Sequence, residues 1–289
     1  MPASTSNELA KTYQKKTDRE HILDAPDTYI GSIDKDPVTN WIFNEDQLKY
    51  ETFDFVPGLY KCFDEGIVNA RDHYIRMRTK IDDDTCKQVS YIHVDIEKEN
   101  GMISITNDGD GIDIAKHPEH DIWIPEMIFG HLRTSTNYNK DEKRVVGGKN
   151  GFGFKLVLIY SIWGKIETID HRRGLKYIQE FRNNLSVIEK AKVTKCKSKK
   201  TYTKVSWIPD YKRFSMDGLT DEMYRIFKKR TYDIAAMTDK DVKVKFNGDI
   251  IPVKTFEQYV NMYVGTKKET TRIYRSEEHT SELQSRQYL

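Results

Sequence analysis

The sequence predicts a two-layer α/β (α+β) sandwich in which a mixed, mostly antiparallel sheet carries helices on one face. Three observations point there. Two long stretches, one opening at Pro57 and one over residues 217–237, have helical character. Roughly eight short stretches read as strands, from their alternation or their β-branched content. Most of these are joined through turn-forming residues, which makes them hairpins packed under helices rather than βαβ units.

The chain has 289 residues, 37% of them hydrophobic and 32% charged, with a formal net charge of +2. This suits one large domain or two small ones. Near-neutral charge does not announce a nucleic-acid partner. Cys62, Cys86 and Cys196 are far apart and have no zinc spacing, which points to a reducing, intracellular setting. No secretory leader is legible and no apolar run approaches the ~18 residues of a membrane span, so the expectation is a chain neither secreted nor membrane-embedded. Residues 275–289 read as a translated sequencing adapter and are set aside, with the gene expected to continue beyond them.

In chain order, residues 1–12 are polar and aperiodic, and a short helix is expected over 18–23. Pro26-Asp27 breaks it, and Thr28 to Ser32 reads as extended chain ending in a turn. Residues 34–54 read as a loop or hairpin. Pro57 opens the first long helix, with Leu59, Phe63, Ile67 and Ala70 as its core stripe. Strands at 91–96 and 102–106 flank the turn Glu99-Asn100-Gly101. A short apolar helix at 124–132 precedes a charged loop, Lys140 to Arg144, whose length suits a lid over a ligand. A helix at 154–163 leads to strands at 165–169, 175–181, 186–189 and 201–208. The second long helix, a strand at 241–246 with the hairpin turn Asn247-Gly248, and a last helix at 256–263 complete the reading.

Four motifs carry chemistry. Glu65, Asn69 and Asp72 fall at i, i+4 and i+7 and share one face of the first long helix, either a solvated polar face or a functional one. Asn107-Asp108-Gly109-Asp110-Gly111 closes a strand; such residues form tight turns, and an amide there can also hold the edge of a base. Ser135, Thr136 and Asn137 offer hydroxyls and an amide before the charged loop. Gly147-Gly148-Lys149-Asn150-Gly151-Phe152-Gly153-Phe154-Lys155 lets backbone approach a ligand closely, with lysines for phosphate charge; the alternative is a surface turn. It is not a Walker A loop, because no Gly-Lys-Ser or Gly-Lys-Thr occurs at the required spacing. His117, His120 and His131 invite a zinc reading, but no cysteine or carboxylate completes a ligand set at metal spacing.

The order of these motifs resembles the GHKL ATPase superfamily and its Bergerat-type ATP-binding fold. Within it, the chain is similar to the N-terminal ATPase domain of eukaryotic-type type IIA DNA topoisomerases. Tyr13-Gln-Lys-Lys-Thr17, Asp27-Thr-Tyr-Ile-Gly-Ser32, Phe55-Val-Pro-Gly-Leu-Tyr-Lys61, Ile128-Phe-Gly130, Ser135-Thr-Asn-Tyr138 and Tyr232-Asp-Ile-Ala235 carry the likeness, which runs from Tyr13 to Val264. The resemblance implies that Glu65 is the general base, that Asn69 ligates Mg²⁺, and that Asp72 belongs to the same nucleotide site. It implies that Asn107 holds adenine and that Ser135, Thr136 and Asn137 meet ribose and phosphate. Lys149, Asn150, Gly151, Phe152, Gly153 and Lys155 would cradle the triphosphate, and Tyr13 would reach the nucleotide of a partner subunit. The implied cofactors are ATP and Mg²⁺; the implied partners are a second copy in a homodimer and double-stranded DNA, with no membrane. The implied location is intracellular: the nucleus for a eukaryotic source, a viral factory or the cytoplasm for a viral one.

The implied organisation is an arm and dimer strap over 1–34, the ATPase domain over 35–264, and over 265–274 the start of a link to a transducer domain. Without that domain, the fragment is expected to bind Mg·ATP but to hydrolyse it poorly and dimerise weakly. Another GHKL ATPase, of mismatch-repair or chaperone type, and a non-hydrolysing dimerisation module are the alternatives. Lys149 stands where the family has arginine, Phe152 where it has tyrosine, Phe154 where it has a small residue, and Asp113 where it has proline.

Overall fold

The computed structural model describes residues 15–45, 47–132, 134, 153–266 and 271. Tyr13, Ser135, Thr136, Asn137, Lys149, Asn150, Gly151, Phe152 and the segment 275–289 lie outside the described residues.

Helix α1 (Asp18–Asp24) starts at a capping box: the Thr17 hydroxyl accepts from the Glu20 N–H and the Glu20 carboxylate accepts from the Thr17 N–H. Long-range contacts seat it. The Tyr160 hydroxyl donates to the Ile22 carbonyl, and Arg19 Nε donates to the Asn184 carbonyl at 2.5 Å. The stretch after it differs from the expectation of extended chain. Pro26 occupies the first position of a one-turn helix, α2 (Pro26–Tyr29), because a proline's fixed φ and missing N–H suit a helix start as well as a helix end.

Strands β1 (Asp36–Asn44) and β2 (Gln47–Phe55) form a separate antiparallel ribbon with Trp41 opposite Tyr50. Helix α3 (Pro57–Arg78) follows, with Pro57 again in its first turn and Leu59, Phe63, Ile67 and Ala70 buried as the spacing predicts. Next come β3 (Tyr91–Glu97), β4 (Met102–Asn107), α4 (Ile124–Gly130) and α5 (Gly153–Ile159). The expected helix over 154–163 ends at Ile159, and Ser161 already belongs to β5 (Ser161–Asp170). Then follow β6 (Leu175–Arg182), β7 (Val187–Ile188), β8 (Lys192–Lys195) and β9 (Thr203–Pro209). A 3₁₀ turn (Tyr211–Phe214), α6 (Asp221–Ala236), β10 (Lys243–Phe246), β11 (Asp249–Ile250) and α7 (Phe256–Val264) complete the order.

Nine strands make one sheet in the order β11-β10-β3-β4-β9-β5-β6-β7, with β8 also on β6. Among the described strands only β10 and β3 run parallel; every other pairing is antiparallel. Trp207 on β9 is fully buried near the centre of the sheet. Phe154 of α5 packs edge-to-face on it at 5.4 Å, and Phe129 of α4 packs edge-to-face on Phe154 at 5.6 Å. Phe154, which stands where the family has a small residue, therefore lies in the core. A Cβ at Gly66 of α3 would lie 3.0 Å from Trp207 and 3.5 Å from Phe154, so the glycine leaves the room that the larger ring needs.

Candidate nucleotide site

Helix α3 delivers the acidic and amide face. Glu65 is half-buried, Asn69 one turn later is exposed, and Asp72 is buried. The Glu65 carboxylate has an ion-pair partner on one side and a glycine on the other. Lys61 Nζ lies 2.5 Å from Oε1, and a Cβ placed at Gly153 would lie 3.4 Å from Oε2. The carboxylate thus faces the backbone that ends the glycine-rich stretch, which the sequence places 88 positions away (65 to 153). Burial works against the charge on Lys61, but the hydrogen bond and charge of Glu65 outweigh it and raise the lysine's pKa. The Lys61–Glu65 pair was missed from sequence; its i, i+4 offset was the available signal.

Strand β4 delivers Asn107, which is buried and donates Nδ2–H to the Asp108 carbonyl at 2.8 Å. Asp108 turns the other way and accepts from the N–H groups of Ser90 and Tyr91 at 2.7 and 2.9 Å, which caps the start of β3. Gly109 has φ +95°, and a Cβ at Gly111 would sit 1.9 Å from the Ile169 carbonyl oxygen. The two glycines let this turn lie flat against β5. The buried Thr168 hydroxyl accepts from the Ile112 N–H at 3.0 Å and contacts the Thr203 hydroxyl at 3.0 Å. His73 stands beside Gly109 with its Nε2 buried and unpaired among the described residues, and burial, with Arg76 adding to it, lowers its pKa to about 4.

Helix α5 delivers Gly153 and Lys155. Lys155 is 3% exposed, and its Nζ donates to the Thr134 carbonyl at 2.5 Å and the Thr134 hydroxyl at 2.8 Å. Burial lowers its pKa to about 8. The Thr134 hydroxyl lies in turn 2.7 Å from the Met127 carbonyl and 2.8 Å from that of His131, which ties α5 to the end of α4. Of the sequence-predicted residues, Glu65, Asn69, Asp72, Asn107, Gly153 and Lys155 are described; the structure places Glu65 against Gly153, with Asn69 and Asp72 further along the same helix. Asp113 pairs with Arg173 at 2.5 Å. The zinc reading gains a carboxylate that the spacing argument overlooked: Glu119 stands with His117 and His120, all ligand atoms within 4.8 Å of one another.

Residues 56–203 match the family described as histidine kinase-, DNA gyrase B-, and HSP90-like ATPase, and the chain belongs to it. Within that class it is 47% identical over 261 residues to the DNA topoisomerase 2 of Acanthamoeba polyphaga mimivirus, covering 88% of this chain and 20% of that protein. It is 43% identical over 262 residues to the DNA topoisomerase 2 of Arabidopsis thaliana, covering 91% of this chain and 17% of that protein. The crystal structure of the ATPase region of Saccharomyces cerevisiae topoisomerase II superposes with a TM-score of 0.82 at 41% identity, covering 89% of this chain and 66% of that one. The chain thus spans about a fifth of the length of these curated relatives. The family resemblance and the α/β ATPase fold read from the sequence are borne out. No helix among the described residues is long and apolar enough to cross a membrane.

Proposed function

We propose that this chain is the ATP-hydrolysing gate of a type IIA DNA topoisomerase, in which nucleotide binding and dimer closure drive passage of one DNA duplex through another. The observation that carries the reading is the Glu65 carboxylate facing Gly153 with Lys61 behind it. Because Gly153 carries no side chain, its backbone can approach a phosphate-bearing ligand closely. Glu65 accepts the proton of the attacking water, a role worth about 10²–10⁴ in rate. Asn69, exposed one turn along α3, is the oxygen ligand for Mg²⁺, a hard cation that neutralises phosphate oxygens when bound. Asp72 supports the same pocket. Asn107 orients adenine through an amide that both donates and accepts. Lys155, with Ser135, Thr136, Asn137, Lys149, Asn150, Gly151, Phe152 and Gly153, holds ribose and triphosphate, and Tyr13 reaches across the dimer. Residues 35–264 act as the ATPase unit and 1–34 as the strap, inside the cell.

The test is Glu65→Gln in the full-length protein, which includes the transducer domain that the resemblance implies. Turnover, followed by phosphate release, is expected to fall about 10²–10⁴-fold while Mg·ATP affinity by calorimetry stays at the wild-type value. Unchanged turnover removes Glu65 from the chemistry.

A further inference from the structure

The net charge of +2 conceals a segregated surface. Lys190, Lys192, Lys195, Lys197, Lys199 and Lys200 crowd the segment 190–200, which contains no acidic residue. All six are exposed. Strand β8 at the sheet edge carries the first part of this segment, and the chain after it walls a cavity of about 610 Å³ whose lining includes Lys87, His171, Arg173, Lys195, Lys197 and Lys199. No Asp, Glu, Phe, Tyr or Trp lines it.

The β5–β6 turn carries the acidic contacts of the region: Arg172 with Asp110 at 2.7 Å, His171 Nδ1 3.9 Å from the same carboxylate, and Arg173 with Asp113 and Asp170 at 2.5 and 2.7 Å. Among the described residues, Lys87, Lys195, Lys197 and Lys199 have no carboxylate within ion-pair distance. The arginine charges of the turn are thus met by carboxylates, while the lysines keep theirs available. Clustered like charges in a concave surface repel one another and focus a positive potential outward, which an arriving polyanion relieves.

We propose that this groove is a docking site for the phosphodiester backbone of duplex DNA, engaged without regard to sequence. Lysines are point charges that contact phosphate oxygens but read no base edge, and the phosphate term supplies nearly all of sequence-independent affinity. An acidic protein partner would call for the aromatic anchors of a protein interface, which the lining lacks. The choice of DNA among polyanions rests on the function proposed above; the groove itself does not.

The experiment measures binding of the full chain to a fluorescent duplex by anisotropy at a series of salt concentrations, for wild type and for the variant Lys195→Glu/Lys197→Glu/Lys199→Glu. The variant is expected to bind at least about tenfold more weakly and to show a log–log salt slope shallower by about 2–3, the signature of some three lost phosphate contacts. Mg·ATP affinity by calorimetry should match wild type, which reports an intact fold. Wild-type DNA affinity and slope in the variant would overturn the proposal, as would poly-glutamate competing as well as duplex at equal charge. Lack of ATP binding by the wild type, with DNA binding that the variant loses, would sink the ATPase reading and leave the groove standing.

Discussion

Lys155 carries a positive charge in a place that resists it. Buried against Thr134, it has a pKa of about 8, so it begins to lose its proton just above neutrality. The unfolded chain keeps that proton up to about pH 10.5, so between these limits folding gains stability as pH rises while the proposed phosphate site loses a cation. Mg·ATP affinity, measured by calorimetry, should therefore weaken from about pH 8 upward; in Lys155→Met it should be weak throughout and flat with pH. Gly111 makes the opposite kind of demand. Gly111→Ala would drive a methyl into the Ile169 carbonyl, and urea unfolding should show a loss of about 3 kcal/mol or more. The Glu65–Asn69–Asp72 face was legible because helical spacing is local. The closeness of Gly111 to Ile169 was not, since the glycine and the carbonyl meet only when β5 folds back. Lys61 lay between the two cases: its offset from Glu65 was visible, but only the packing shows Gly153 on the far side of the carboxylate.

At the level of elements, α3 is the common support. Its Phe63 stacks on Phe227 of α6 at 4.3 Å, with both rings fully buried. Arg230 of α6 pairs with Asp64 of α3 at 2.7 Å, and Arg225 of α6 holds the Phe43 carbonyl and the Glu51 carboxylate of the β1–β2 ribbon. Phe227→Ala should cost about 3–5 kcal/mol in denaturant unfolding, and it should weaken nucleotide binding because α3 carries Glu65 and Asn69. Most elements were legible as patterns, but β8 was not read, the second long helix begins at Asp221 rather than 217, and two further junctions differ for identifiable reasons. Apolar residues run continuously from Leu156 to Tyr160 and resume at Ile162, so periodicity could not separate α5 from β5; only pairing of Ser161 with Pro209 does. Pro26 was read as a breaker when it was also a starter.

Across the whole molecule, acid should act through His73. Its folded-state pKa of about 4 lies below the 6.5 of an unburied histidine, so the unfolded chain takes up a proton that the folded chain refuses. The stability that His73 leaves intact above pH 6.5 is lost as pH falls toward 4, by about 3 kcal/mol at most. The thermal midpoint should drop over that window, and His73→Gln should flatten the drop. The strand order has a consequence for how the chain is made. The β3–β4 hairpin is complete once Asn107 has emerged, yet its two neighbours are β9, beginning at Thr203, and β10, beginning at Lys243. At about 5–20 residues per second on a ribosome, the hairpin waits on the order of ten seconds with both edges unpaired. Unpaired edges invite pairing with other nascent chains, so a holding chaperone has its longest opportunity here, between synthesis of residue 107 and synthesis of residue 246.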